Sequence, residues 1–171
     1  MQRPAADEFD PMFTGYVGKV PDGDVLARLR AQAERSEALF EGVTEEQGDH
    51  AYADDKWSVK RLLQHLSDSE RMFCYRAMCI ARGDTAPLPG FDENAYAAQD
   101  GSDTRPLADV LQEFLAVRRA TIALFEGFDA AAWERRGTAN GSPVSVRALP
   151  WMIAGHELHH LEVLRERYGV G

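Results

Sequence analysis

Four stretches of the chain repeat apolar side chains at three- and four-residue intervals, the spacing that gathers one face of an α-helix. In the first, Val25, Leu26, Leu29, Ala33 and Leu39/Phe40 predict a helix over about 24–41, with Asp22 or Asp24 as N-cap and Gly42 as its stop. The second is the clearest: behind a Ser58 N-cap, Val59, Leu62, Leu63, Leu66, Phe73, Ala77 and Ile80 keep the period until Gly83. The third begins at Thr104 with Pro106 in its first turn, and Leu107, Val110, Leu111, Phe114, Leu115, Val117, Ile122, Leu124 and Phe125 carry it to Gly127. The fourth starts behind Ser142 or Ser145, holds Pro150 one turn inside, and runs to about Tyr168 before Gly169.

No segment alternates as a strand does, so the expected fold is all-α, a four-helix bundle over residues 24–171. Residues 1–23, broken by Pro4, Pro11, Pro21 and several glycines, read as an irregular N-terminal arm, although Phe9, Met12, Phe13 and Tyr16 are too apolar for a free tail. A polar connector leads to Trp57. The stretch from Gly83 to Asp103 is long for a structureless link and predicts a short helix at 92–98; it also leaves room for a crossover between helices two and three. Asp129–Gly137 predicts one helical turn, and Thr138–Ser145 is turn-rich.

The 171 residues, 44 % hydrophobic and 27 % charged, suit one ordinary globular domain large enough to fold without disulfide or metal. A metal site would therefore serve function first. The net charge of −9, with lysines and arginines scattered, argues against nucleic-acid or anionic-membrane partners. Cys74 and Cys79 lie about 140° apart around one helix and cannot bridge each other. No signal-peptide core and no apolar stretch of roughly 18 residues is present, so a cytoplasmic location is expected.

Histidine is scarce, five residues in all, yet three sit in Gly155-His156-Glu157-Leu158-His159-His160. At about 100° per residue His156 and His160 lie about 40° apart, on the stripe of Leu149, Met152, Ile153, Val163 and Leu164, so both imidazoles are expected to face the bundle interior. Such an i, i+4 pair suits a divalent ion such as Zn²⁺ or Ni²⁺. A catalytic site typically uses three protein ligands and keeps a position open, and His65, among Leu62, Leu66, Ser69 and Phe73 on the buried face of helix two, is the candidate third. A lone inward histidine is usually a hydrogen-bonded core residue; opposite an inward pair on another helix, metal ligation is the better reading. The same residues match H-E-x-x-H of zinc proteases. Those enzymes take a third ligand from a further segment, whereas only Glu162 and Glu166, on the same helix, follow here, and no strand is predicted to bind a peptide. Proteolysis is not favoured.

The string Lys56-Trp57-Ser58-Val59-Lys60-Arg61-Leu62-Leu63-Gln64-His65-Leu66-Ser67-Asp68-Ser69-Glu70, followed on the last helix by the His-rich motif, resembles the DinB-like superfamily and, within it, the YfiT-like metal-dependent hydrolases. The resemblance covers roughly residues 24–168 and departs at Val59, where many members have proline, which touches only the helix start. It implies a four-helix bundle with nickel or zinc held by three histidines, at positions His65, His156 and His160 here. It also implies a homodimer, and thiol S-transferase or isomerase activity in relatives that use bacillithiol, mycothiol or glutathione.

The expected function is a divalent-metal-dependent enzyme that activates water or a low-molecular-weight thiol against a small molecule. Glu157 and His159 are the candidate acid–base residues, with Glu157 otherwise orienting a ligand or facing solvent. The competing reading is a non-catalytic dimeric stress-related or ligand-binding bundle whose metal is structural or adventitious. Trp57 is read as a hydrophobic staple on helix two in preference to a substrate contact, and Asp68 and Glu70 as an outward face pairing with Arg71. The cysteines read as structural, His50 as solvated, and Tyr96 and Trp151 as core or pocket mouth alike.

Overall fold

The computed structural model describes residues 2–171. Its frame is four long helices: α2 (Val25–Glu41), α4 (Val59–Ala81), α6 (Leu107–Glu126) and α8 (Ala148–Val163), the last running into a π-helical turn at Leu164–Tyr168 that ends on left-handed Gly169. Short helices punctuate the links: α1 (Thr14–Lys19), α3 (Glu45–Asp49), α5 (Glu93–Ala97) and α7 (Ala130–Trp133). Side-chain caps start most of them. Asp24 accepts the Leu26 N–H, Ser58 the Arg61 N–H, Asp92 the Asn94 and Ala95 N–H groups and Asp129 the Ala132 N–H. Thr44 and Gln47 exchange reciprocal bonds to start α3, which the polar connector had concealed. Thr104 does not begin α6. It closes a 3₁₀ turn at Ser102–Thr104, and the helix starts after Pro106, which has no N–H to donate.

Around the bundle the order is α2, α6, α4, α8, each packed on the next and α8 closing on α2. Consecutive helices α2 and α4 therefore sit across one diagonal, and α6 and α8 across the other. The long link from Gly83 to Pro106 joins the neighbours α4 and α6, so the diagonal steps fall at the other two links.

Two expectations are corrected. A small antiparallel hairpin, β1 (Arg136–Ala139) with β2 (Ser142–Ser145), stands in the turn-rich segment, and Leu88 bonds to its edge through Thr138 and Asn140. Asn140 and Gly141 both take positive φ, 52° and 77°, the pattern of a two-residue type I′ turn that matches strand twist. The N-terminal arm, read as irregular, holds short helical turns between Ala6 and Lys19. Its helix α1 lies along α8, tied down by Arg3 donating to Val17 O at 2.7 Å and by buried Glu8, which accepts from Ser145 Oγ at 2.7 Å and from Arg147 Nε at 3.1 Å. Glycines disfavour an isolated helix here, but Gly155 of α8 lets the α1 backbone approach so closely that packing overrides propensity.

The core comes in two halves. Leu29, Phe73, Ile80, Phe125, Leu149 and Trp151 belong to one; Phe40, Leu63, Val110, Phe114, Leu161 and Leu164 to the other. Between them each long helix inserts polar groups. Arg118 of α6, 1 % exposed, donates from Nε and Nη2 to both oxygens of Glu70 on α4 (2.9 and 2.8 Å) and from Nη1 to Leu29 O on α2 (3.2 Å). Its Nη1 also lies 2.8 Å from Glu157 Oε2 on α8, and Ser36 Oγ of α2 donates to Glu157 Oε1 at 2.6 Å. Glu70 is thus not on an outward face; of the two acidic residues Asp68 alone pairs with Arg71, at 3.1 Å, and Arg71 also meets Glu113 at 2.7 Å.

A Cβ added at Gly155 would lie 2.0 Å from Tyr16 O, backbone that has no free end to move. Gly155→Ala is expected to push α1 off α8 and to destabilise the fold by about 1–3 kcal/mol, read from the midpoint of urea unfolding. A midpoint equal to wild type contradicts the close crossing.

Candidate metal centre

The polar level of the bundle also carries three histidines. His65 projects from α4, while His156 and His160, one turn apart, project from α8. Their ligand nitrogens all lie within 4.8 Å of one another. The Nε2 atoms of His65 and His156 are 3.2 Å apart and those of His160 and His156 3.0 Å. With metal–nitrogen bonds of about 2.0–2.1 Å, donor atoms stand about 3.3 Å apart in a tetrahedron and about 2.9 Å apart at cis positions of an octahedron, so both separations from His156 fit a divalent ion. Hydrogen bonding accounts for it less well. His156 Nε2 faces two ring nitrogens, and a neutral imidazole nitrogen offers either one proton or one lone pair, so one of the two contacts stays unmatched.

The protonation states agree. Burial pushes His65 down to about 4 against a weaker upward pull from Glu93, and pushes His160 down to about 3, helped by His65 and His159. Burial and then the other histidines hold His156 well below its ordinary 6.5. All three are neutral imidazoles at neutral pH, the form that ligates metal.

Why these rings meet follows from Glu157. One residue along α8 from His156, it points about 100° away around the helix, into the Arg118 ion pair. Arg118 also grips Glu70, five residues beyond His65. One guanidinium therefore sets the rotation of both ligand-bearing helices.

On the other side of the histidines opens a cleft of about 210 Å³. Trp57, Phe13, Phe73 and Phe91 give it apolar walls, and Tyr16, Ser69, Arg76, Glu93 and Asn140 give it polar points. The Trp57 ring sits 4.8 Å from that of His65, so this side chain faces the cleft in place of the expected staple role. Neither expected acid–base residue lines the cleft. Glu157, 1 % exposed, is engaged by Arg118 and Ser36. His159 is half-buried against Tyr16, ring centres 5.0 Å apart, and is lowered by burial and by nearby Lys19. Sequence reasoning missed Arg76, Glu93 and Tyr16, which reach the cleft from α4, α5 and α1. The last two were signalled only by short helices whose docking no periodicity reveals.

The remaining candidates fall away from the chemistry. Trp151 is wholly buried core, with Arg3 over its ring at 4.8 Å, and Tyr96 is exposed against Phe91. The Cys74 thiol, pushed up to about 12 by burial and held 3.1 Å from Thr121 Oγ1, is no thiolate; His50 is exposed.

Fold and site together define a helical bundle with a candidate three-histidine metal centre at the foot of an open cleft. The chain belongs to the DinB superfamily, whose model matches residues 28–164. A relative from Geobacillus thermodenitrificans (strain NG80-2), named "Putative metal-dependent hydrolase", is 27 % identical over 153 residues, 84 % of each chain. Among solved structures, YfiT from Bacillus subtilis, characterised as a "probable metal-dependent hydrolase with an unusual four-helix bundle topology", superposes with TM-score 0.72 at 18 % identity, over 99 % of this chain and 95 % of its own. A mycothiol-dependent maleylpyruvate isomerase follows with TM-score 0.68 at 16 % identity, over 84 % of this chain and 60 % of that one. At these identities the superpositions speak for the fold. No described helix is long and apolar enough to cross a membrane.

Neutral buried histidines have a consequence for stability. Their folded pKa values lie below the unfolded 6.5, so below pH 6.5 the unfolded chain takes up protons that the metal-free native state refuses. The stabilisation is complete above pH 6.5 and declines as pH falls towards 4. Urea unfolding of chelator-treated protein between pH 6.5 and 5 is expected to lose stability with a slope approaching about 1.4 kcal/mol per pH unit for each histidine. His160→Gln is expected to flatten this acid limb, and an unchanged slope in that variant contradicts the assignment.

Proposed function

We propose that His65, His156 and His160 hold a divalent ion, Zn²⁺ or Ni²⁺, and that the chain is a metal-dependent enzyme acting on small molecules with water or a low-molecular-weight thiol as nucleophile. The observation that carries this reading is the convergence of three neutral Nε2 atoms at the foot of a cleft that leaves one side of them open. When bound, such an ion supplies Lewis acidity and lowers the pKa of a water or thiol ligand into the neutral range. The protein's own groups do the rest. The rings of Trp57, Phe13, Phe73 and Phe91 exclude bulk water and orient an apolar substrate body. The carboxylate that faces the cleft is Glu93, so proton acceptance falls to it, and Glu157 becomes the counter-ion that keeps α8 in rotation. His159, outside the cleft, supports the rim beside Tyr16.

A volume of about 210 Å³ suits a small metabolite and not a folded partner. A non-catalytic bundle with a structural metal has no use for a cleft beside its ligands, because structural sites are closed. The relatives named for hydrolysis and for mycothiol-dependent isomerisation represent the two nucleophiles this site can present.

Untagged protein is expected to contain about one equivalent of metal by elemental analysis, with His65→Ala and His156→Ala each losing at least 90 % of it while keeping their helical circular dichroism. Unchanged occupancy in both variants removes these residues as ligands. Low-molecular-weight thiols, mycothiol among them, tested with monochlorobimane separate transfer from hydrolysis of small amides and esters; activity in neither assay overturns the enzymatic reading.

Glu93 and Glu157 are expected to behave oppositely. Glu93→Gln lowers turnover about 100-fold with stability near wild type. Glu157→Gln, by removing the charge opposite Arg118 and weakening the bond from Ser36, lowers stability by about 2 kcal/mol while metal still binds. The reverse pattern restores Glu157 as the base.

A further inference from the structure

Among the described residues three basic side chains are almost wholly buried: Lys60, Arg76 and Arg118. Lys60 is met by Glu45 and Asp49, each at 2.7 Å, and Arg118 by Glu70 and Glu157, each at 2.8 Å. Arg76, 5 % exposed, has no carboxylate within 4 Å among the described residues. Its one hydrogen bond there runs from Nη2 to Pro89 O at 3.0 Å, and its buried Nε has no partner. Burying a charge without a counter-charge is expensive, and the other two sites show how this protein otherwise meets that demand. Burial accordingly lowers the pKa of Arg76, whereas at Arg118 the same burial is outweighed by Glu157 and Glu70.

The place of this guanidinium gives it meaning. Arg76 lines the cleft that reaches the histidines and, with Asn140 at the hairpin tip, also lines the smaller hollow next to it. It follows His65 by eleven residues on α4, about 20° away around the helix and about 16 Å along it, with Ser69 and Phe73 on the strip between. One end of the cleft therefore presents a guanidinium that has no counter-charge and is met only by Pro89 O and, 5.9 Å away, by the Phe73 ring; the middle presents rings, and the other end presents the three imidazoles. Glu93 also lines this cleft but forms no ion pair with Arg76.

We propose that Arg76 binds a carboxylate of the substrate, so that the molecule taken by this cleft is elongated, apolar in its middle and anionic at the end remote from the histidines. A guanidinium recognises a carboxylate through two parallel N–H donors, a geometry that a neutral amide or alcohol cannot match. This inference rests on the cleft being the substrate site and assigns the substrate's class. It does not depend on which ion the histidines hold.

The test uses the full chain, both as isolated and after chelator treatment, with 3-phenylpropanoate and its neutral isostere 3-phenylpropanamide as probes, titrated by calorimetry. The carboxylate is expected to bind at least tenfold tighter than the amide in both states, and Arg76→Met is expected to erase that preference while the amide affinity stays. Equal binding of the two probes to wild type overturns the proposal. So does a preference that survives Arg76→Met, and a preference that vanishes on chelation shows the carboxylate on the metal instead. Should Arg76→Met fail to fold, the ¹H–¹⁵N signal of Arg76 Nε in wild type decides, because it must shift on adding the carboxylate and not the amide. Failure of the metal reading shows separately, as metal content unaffected by the histidine variants.

Discussion

One buried guanidinium sets the geometry of this bundle. Arg118 reaches across the polar level between the two apolar halves and touches α2 through a backbone carbonyl, α4 through Glu70 and α8 through Glu157. A helix packed only by Leu, Ile and Phe rotates or slides at little cost, since apolar contacts are not directional. A buried ion pair is directional, and breaking one partner leaves an unpaired charge, so each gripped helix is held in one rotational setting. His156 adjoins Glu157 on α8 and His65 precedes Glu70 on α4. The ion pair thus acts as a register device, and the meeting of three imidazoles follows from it.

The second constraint is a close approach. Gly155, immediately before His156, has no side chain, and α1 lies in the space this leaves. That contact brings Tyr16 and Phe13 to the rim of the cleft, so a segment outside the four long helices supplies part of the wall. α5 does the same with Glu93, and the hairpin with Asn140. The four helices hold the ligands while the shorter elements shape what reaches them, an arrangement common where a rigid scaffold carries variable links.

The long helices and the histidine cluster were legible in the chain because both are periodic. Apolar spacing locates α2, α4, α6 and α8 to within a few residues, and the i, i+4 relation of His156 and His160 on an apolar stripe implies an inward pair. What escaped was whatever depends on a partner far away in sequence. Glu70 looks like a surface residue of its helix, and Glu157 like an acid–base or ligand-orienting group or a solvent-facing residue, until Arg118 is placed opposite them. The arm 1–23 looks irregular because its glycines disfavour an isolated helix, and only the crossing at Gly155 explains α1. Asn140-Gly141 did carry a hairpin signal, but strands of four residues give too little alternation to declare themselves. Arg76 could be placed on the histidine face of α4 by counting, yet nothing local shows that it lacks a counter-charge.

A metal centre with three imidazoles and an open side is the claim on which the functional account stands. X-ray absorption at the metal edge of the loaded, untagged protein tests it directly, because imidazole rings leave a distinct multiple-scattering signature. The expected spectrum has three imidazole nitrogens at about 2.0–2.1 Å together with at least one oxygen, nitrogen or sulfur ligand from outside the three histidines. A spectrum with fewer than three imidazoles, or one closed entirely by protein ligands, contradicts it.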